Sequence, residues 1–569
     1  MRYWLALLFF SVLVSTGFCQ QLDAIGKSDP LKISGSLSSS QIAYFSNRIL
    51  NRRDPYTFFV SGNLDINVYG WNVPVGFTYS NQSKGSFQQP FNQYNLNPVY
   101  KWVTAHIGYT SMSFSSYTLN GHLFAGVGVD LTPSGPFKLS VMYGRLQKAV
   151  LADSLNITSQ DVEPAYKRMG YGFKASYAKQ KNYVDLILFK AKDDISSNPL
   201  NATITPQENV VTGINAGKVF FKRLLLSGEL ALSALTRNQL AFADSVHNNQ
   251  NGFLLRTNNS TALYTAYKTA LVYNGGRYTI GLGYERISPE YKTLGAYYFA
   301  NDFENITGNL TTKLLKDKLS IAASTGIQHD DLRKEKQSST QRFVGSLNLS
   351  YQANNKLNFN GSYSNFQSFV NIRSTFNQVN ELTAYDNLDT LNYTQLSQNV
   401  SLNTNYILSQ NKQKSQVLNF NLSYMTSADK QDGTKQNTGG NFYNLNSSFS
   451  SNFVPQNFSY TVSLNANRNT APLIKTTTFG PTAGVNKSFL DKRLRSSFST
   501  SWNSSYANGT KISSILNFRL NMSYAVKKKH NINLNMVALN SNSSRLPGSV
   551  SRAFNEFTTT LGYNYSFNN

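Results

Sequence analysis

Between Leu516 and Leu539 the chain alternates apolar and polar residues. Leu516, Phe518, Leu520, Met522 and Tyr524 interleave with Asn517, Arg519, Asn521 and Ser523; after a lysine-rich break, Ile532, Leu534 and Met536 interleave with Asn531, Asn533 and Asn535. Period-two alternation belongs to a β-strand with one apolar and one polar face. A soluble sandwich turns the polar face to water, whereas a membrane barrel turns the apolar face to lipid.

The pattern repeats along the chain in about 25 segments of roughly 10 to 15 residues, the length of tilted spanning strands with their flanks. Tyr56, Phe58, Val60, Leu64, Ile66 and Val68 form one such face, and "TALYTAYKTALVYNGGRYTIGLGY" reads as a hairpin turning at Asn274-Gly275-Gly276. From about residue 131 onward the connections alternate in length. Tight turns near Lys179–Asn182, Phe221–Arg223, Lys316–Lys318, Asn354–Lys356, Gln410–Lys412, Val454–Asn457, Asp491–Arg493 and Lys527–His530 separate longer polar loops such as 148–163, 236–260 and 366–394. A sandwich has no reason to sort its loops this way, but a transmembrane barrel has tight periplasmic turns and long outer loops. The fold class expected is all-β: a single antiparallel transmembrane barrel of about 24 to 26 strands over 32–569, in the outer membrane of a Gram-negative bacterium.

Aromatic residues make up 13% of the chain and charged residues 14%, with a composition that dilutes apolar side chains one-to-one with polar ones. Residues 1–19, "MRYWLALLFFSVLVSTGFC", read as a secretory signal peptide, and 20–31 as a short periplasmic lead-in. Strand-like sequence follows so soon that no plug domain is expected. With Cys19 removed the mature chain has no cysteine, so its stability must come from hydrogen bonding and burial.

The net charge of +24 invites a nucleic-acid reading, but its placement opposes it. Fifteen cations, among them Lys222, Arg223, Lys316, Lys412, Lys414, Lys492 and Arg493, sit in or beside the short turns against Asp317 and Asp491. Such a rim suits acidic phospholipid headgroups, and outer-membrane lipids rather than nucleic acid are the expected partner. The five histidines show no metal-ligand spacing, and neither a G-x-S-x-G elbow nor a P-loop occurs, so no cofactor and no enzymatic activity are expected.

The C-terminal "TLGYNYSF" resembles the β-signal of Gram-negative outer-membrane proteins through Thr560, Gly562, Tyr565 and Phe567, departing from it in the Asn568-Asn569 tail. The resemblance implies insertion by the barrel assembly machinery. In "QQPFNQYNLNPVYKWV" and "SVMYGRLQKAV" the chain also looks like large Bacteroidetes-type outer-membrane barrels, a likeness that carries no function.

If the leucines face lipid, the polar faces line the lumen. Arg342, Asn348, Asn419, Asn421, Asn517, Arg519, Asn521, Asn533 and Asn535 are the expected lining, polar and mildly basic. Strand counts taken from the two ends disagree by one across Ser83–Pro98. Either a strand hides there or the piece folds into the lumen. The inward fold is the expectation, with Phe87, Gln88, Gln89, Phe91, Asn92, Gln93 and Tyr94 as a constriction. The functional expectation is a porin-like channel for polar or anionic solutes. The alternatives are a barrel subunit of a translocon whose bore is filled by outer-membrane or periplasmic partners, and a non-conducting scaffold or surface receptor.

Overall fold

The computed structural model describes residues 31–49, 54–68, 71–81, 93–150, 164–198, 204–242, 257–297, 300–330, 341–365, 398–427, 440–471, 474–527, 529–543 and 553–568, with a few short pieces between them. Among these residues one sheet of 27 segments dominates. Two of the segments, Gln93–Leu96 and Val99–Tyr100, are pieces of a single stave between Trp71–Ser80 and Val103–Ser113, which leaves 26 strands. Each strand pairs antiparallel with its sequence neighbour, and the first, Leu31–Asn47, pairs with the last, Phe554–Asn568, from Ser34 opposite Asn568 to Asn47 opposite Asn555. The sheet is therefore closed and has no free edge, which a β-structure needs in order to cross a bilayer.

The split stave accounts for the strand-count conflict and takes Gln93 and Tyr94 out of the expected constriction. Gln93 and Tyr94 lie in the wall, opposite Thr78 and Phe77, and Tyr94 is 66% exposed, edge-on to Tyr109 at 5.9 Å. The stave is interrupted where Asn97 donates to the Pro74 carbonyl and the Pro98 carbonyl accepts from Ala105. Proline offers no ladder N–H, so the strand breaks there without leaving the sheet. Phe87, Gln88, Gln89, Phe91 and Asn92 lie outside the described residues.

Even strand number, closure, short turns at one end and long loops at the other define a transmembrane barrel of the outer-membrane type. The exposure pattern agrees. Leu226, Leu230 and Leu232, Ile280 and Leu282, Leu418, Phe420 and Leu422, and Val462 and Leu464 all rank among the exposed large apolar side chains. The intervening residues of these strands point the other way. The strand Thr510–Lys527 follows suit: Phe518 is 40% exposed and its neighbour Asn517 only 3%.

Candidate functional site: the inner wall and its two inward loops

The polar side of the sheet is the concave one, because single features there touch many strands at once. The segment Phe114–Leu119, between Val103–Ser113 and Asn120–Leu131, leaves the rim and crosses the inner wall. Lys174 Nζ donates to the Phe114 carbonyl at 3.0 Å and Lys268 Nζ to Ser116 Oγ at 2.8 Å. The Tyr117 amide donates to Glu229 at 3.4 Å and its hydroxyl to Glu285 at 2.6 Å. These four partners sit on four different strands, so the segment lies inside the barrel.

A second inward loop, from Ser288 to Tyr297, locks onto the first. The Tyr291 hydroxyl donates to the Tyr117 carbonyl at 2.7 Å, Thr293 Oγ1 to the Thr118 carbonyl at 2.8 Å, and the Asn120 amide to the Gly295 carbonyl at 2.9 Å. The loop is tied to the wall by Ser233 Oγ, which donates to the Lys292 carbonyl at 2.7 Å, and by the Leu294 amide, which donates to Asn209 Oδ1 at 3.1 Å. Gly295 is required by close approach: a Cβ there would lie 2.8 Å from both the Thr118 carbonyl and the Phe189 ring.

Under the two loops lies an apolar core, with Phe114, Tyr117, Leu119, Tyr291 and Leu294 packed on Phe124, Met142, Phe189, Val211, Ala231 and Leu235 of the wall. The wall's charges are paired: Arg168 with Asp193 at 2.7 Å, Lys174 with Asp185 at 3.3 Å and Lys268 with Glu229 at 2.9 Å. Pairing is what lets the nearly buried carboxylates of Asp193 and Glu229 persist away from bulk water. Burial, reinforced by Glu285, raises the Tyr117 phenol far above its ordinary range, and burial with Glu229 does the same for Tyr291. Both hydroxyls therefore remain donors to the loop contacts at any physiological pH.

The rest of the circumference differs. From Gly440–Phe453 round to Leu31–Asn47 the inner face is mostly asparagine, serine and threonine, with Arg495 and Arg519 among them and, toward the long-loop end, a buried Tyr44 hydroxyl donating to Glu556 at 2.6 Å. Its residues bond laterally: Asn446 Nδ2 donates to Asn465, Asn465 Nδ2 to Thr482 at 3.1 Å, and Asn521 Nδ2 to Ser497 at 3.2 Å. A recess of about 800 Å³ opens on this wall, touching Ser38, Ser40, Asn486, Ser488, Arg495, Ser497, Asn521, Asn533, Asn535 and Thr560, and no carboxylate lines it. A second recess of about 560 Å³ lies beneath Ser115 and Ser116 and carries Glu229, Lys268 and Glu285. Among the described residues no group of three or more His, Cys, Asp or Glu could hold a metal ion.

No protein family and no curated protein matches the sequence. Among solved structures the chain is similar to the P pilus usher (PapC) translocation pore, at 10% identity and a TM-score of 0.38, over 94% of this chain and 100% of that one. It is similar to the FrpB iron transporter from Neisseria meningitidis (F3-3 variant), at 10% identity and 0.35, over 96% and 83%. OccAB2 of Acinetobacter baumannii follows at 11% identity and 0.28, over 68% and 97%.

The asparagines expected in the lumen divide by location. Asn521, Asn533 and Asn535 meet at the large recess, with Asn517 beside it on the same face. Asn419 accepts from Asn403 Nδ2 at 3.2 Å, and Asn421 is two positions along the same strand on the same side. Asn348 faces Ser362 in the ladder, and Arg342 stands opposite Gln328. Thr560, Gly562, Tyr565 and Phe567 lie on the closing strand, opposite Ile42, Ser40, Leu37 and Gly35. The two inward loops have no period-two pattern of their own by which the sequence marks them.

Proposed function

We propose that the barrel is a channel for small polar and anionic solutes, running along its Asn/Ser-lined side while the two inward loops close the other. The observation that carries this reading is the unequal inner wall. The loop-covered half buries its charges in pairs, whereas the recess on the open half is lined largely by neutral hydrogen-bonding groups, with Arg495 among them and no carboxylate. Asparagine and serine exchange hydrogen bonds with passing water at little cost, and an unopposed guanidinium raises the local concentration of anions.

Reconstitution into planar bilayers tests the reading. Discrete conductance steps are expected, with a reversal potential in a KCl gradient that favours chloride, and Arg495→Glu should shift it toward potassium. Cation preference in the unaltered protein would contradict the anion reading. Absence of conductance, together with subunits that co-purify stoichiometrically in mild detergent, would instead assign the bore to partners. Absence of both would leave a scaffold or surface receptor.

A further inference from the structure

We propose that the outer wall at the short-turn end carries a binding site for an acidic phospholipid, framed by Lys414 and Lys487 around the rings of Phe453, Phe458 and Tyr460. Four consecutive strands build it: Lys414–Ser427, Gly440–Phe453, Phe458–Thr470 and Lys475–Phe489. Register sets the pieces side by side on one face, with Lys414 opposite Phe453, Phe453 opposite Phe458, and Phe458 opposite Lys487.

The three rings form a half-buried patch, with centroids 6.1 Å apart for Phe453–Phe458, 6.3 Å for Phe453–Tyr460 and 6.4 Å for Phe458–Tyr460. Lys414 Nζ lies 5.7 Å from the Phe453 centroid and Lys487 Nζ 5.6 Å from that of Phe489. Three inter-strand steps of about 4.8 Å put the two lysine positions roughly 14 Å apart, room for one or two headgroups.

The face is the lipid-facing one. The same parity continues along these strands through the exposed Leu418, Phe420, Leu445, Val462, Leu464 and Val485. A ligand here meets an apolar wall along its length and cations at one end, which is the chemistry of an acyl chain under a negatively charged head. The adjoining turns add Lys412, Lys492 and Arg493 against the single carboxylate of Asp491, and all four are exposed. A zwitterionic head would bring its own ammonium into this field and lose much of the attraction. A soluble acidic protein would have no use for rings that face the bilayer.

Native mass spectrometry of the full mature barrel, released from detergent with equal amounts of phosphatidylglycerol and phosphatidylethanolamine, tests the site. Phosphatidylglycerol adducts should dominate, and the double variant Lys414→Gln/Lys487→Gln should weaken them by roughly tenfold or more, since each surface lysine contributes about fivefold. Lys475→Gln/Lys511→Gln, at the opposite end of the barrel, should change nothing. Heat-modifiable migration on gels would show that every variant is folded. Equal retention of the two lipids, or phosphatidylglycerol binding unmoved by Lys414→Gln/Lys487→Gln, would overturn the proposal. So would an equal loss from Lys475→Gln/Lys511→Gln, which would signal a non-specific charge effect.

Discussion

Replacing Phe114–Leu119 with an Asn-Gly turn should raise single-channel conductance about twofold, because a tight hairpin fits the Ser113–Asn120 register and takes these six residues off the inner wall. The loop brings Phe114, Tyr117 and Leu119 onto the wall, and it supplies the carbonyls that hold the 288–297 loop through Tyr291 and Thr293. Its removal therefore loosens both obstacles. Tyr117→Phe, which keeps the ring and gives up the bond to Glu285, should leave conductance nearly unchanged. Unaltered conductance in the loop replacement would mean that current never depended on this side of the bore. Failure to insert would mean that the loop is needed to build the wall itself.

Charge placed on the two faces of one strand should have unequal cost. Phe518→Arg puts a guanidinium into the lipid belt and should destabilise the folded barrel by about 2–4 kcal/mol near the bilayer midplane. Asn521→Arg, on the recess side, should cost under about 1 kcal/mol, since its head reaches water. Reversible urea unfolding in lipid vesicles measures both. Equal costs would contradict the assignment of faces.

Much of this architecture is legible in the alternation, and the strand 510–527 shows why. There the inner positions are Asn517, Arg519 and Asn521, so polarity marks direction without ambiguity. The strand Asn182–Asp194 is harder to read. Val184 and Leu186 face out, but Ile187, Phe189 and Ala191 face in and are buried by the inward loops. Apolar residues at both parities were the available trace of something packed inside, and period-two reading registers them only as a weaker strand. The split stave at 93–100 was hidden for a different reason. Its Gln, Asn and Pro composition reads as irregular chain, and only the mismatch between strand counts pointed to it. The loop-to-loop bonds of Tyr291 and Thr293 with residues far away in sequence have no local signature at all. Short-turn cations, by contrast, are plain in the sequence, but only strand register reveals that Lys414 and Lys487 flank one aromatic patch.

This closed sheet has its apolar face in lipid and its polar face on water. Single cysteines test this most directly, in a chain whose one cysteine, Cys19, has been replaced by serine. In reconstituted barrels, Asn521→Cys and Asn533→Cys should react with a membrane-impermeant maleimide, and Phe518→Cys and Leu464→Cys should not. Labelling at Phe518 and Leu464 with protection at Asn521 and Asn533 would contradict the account.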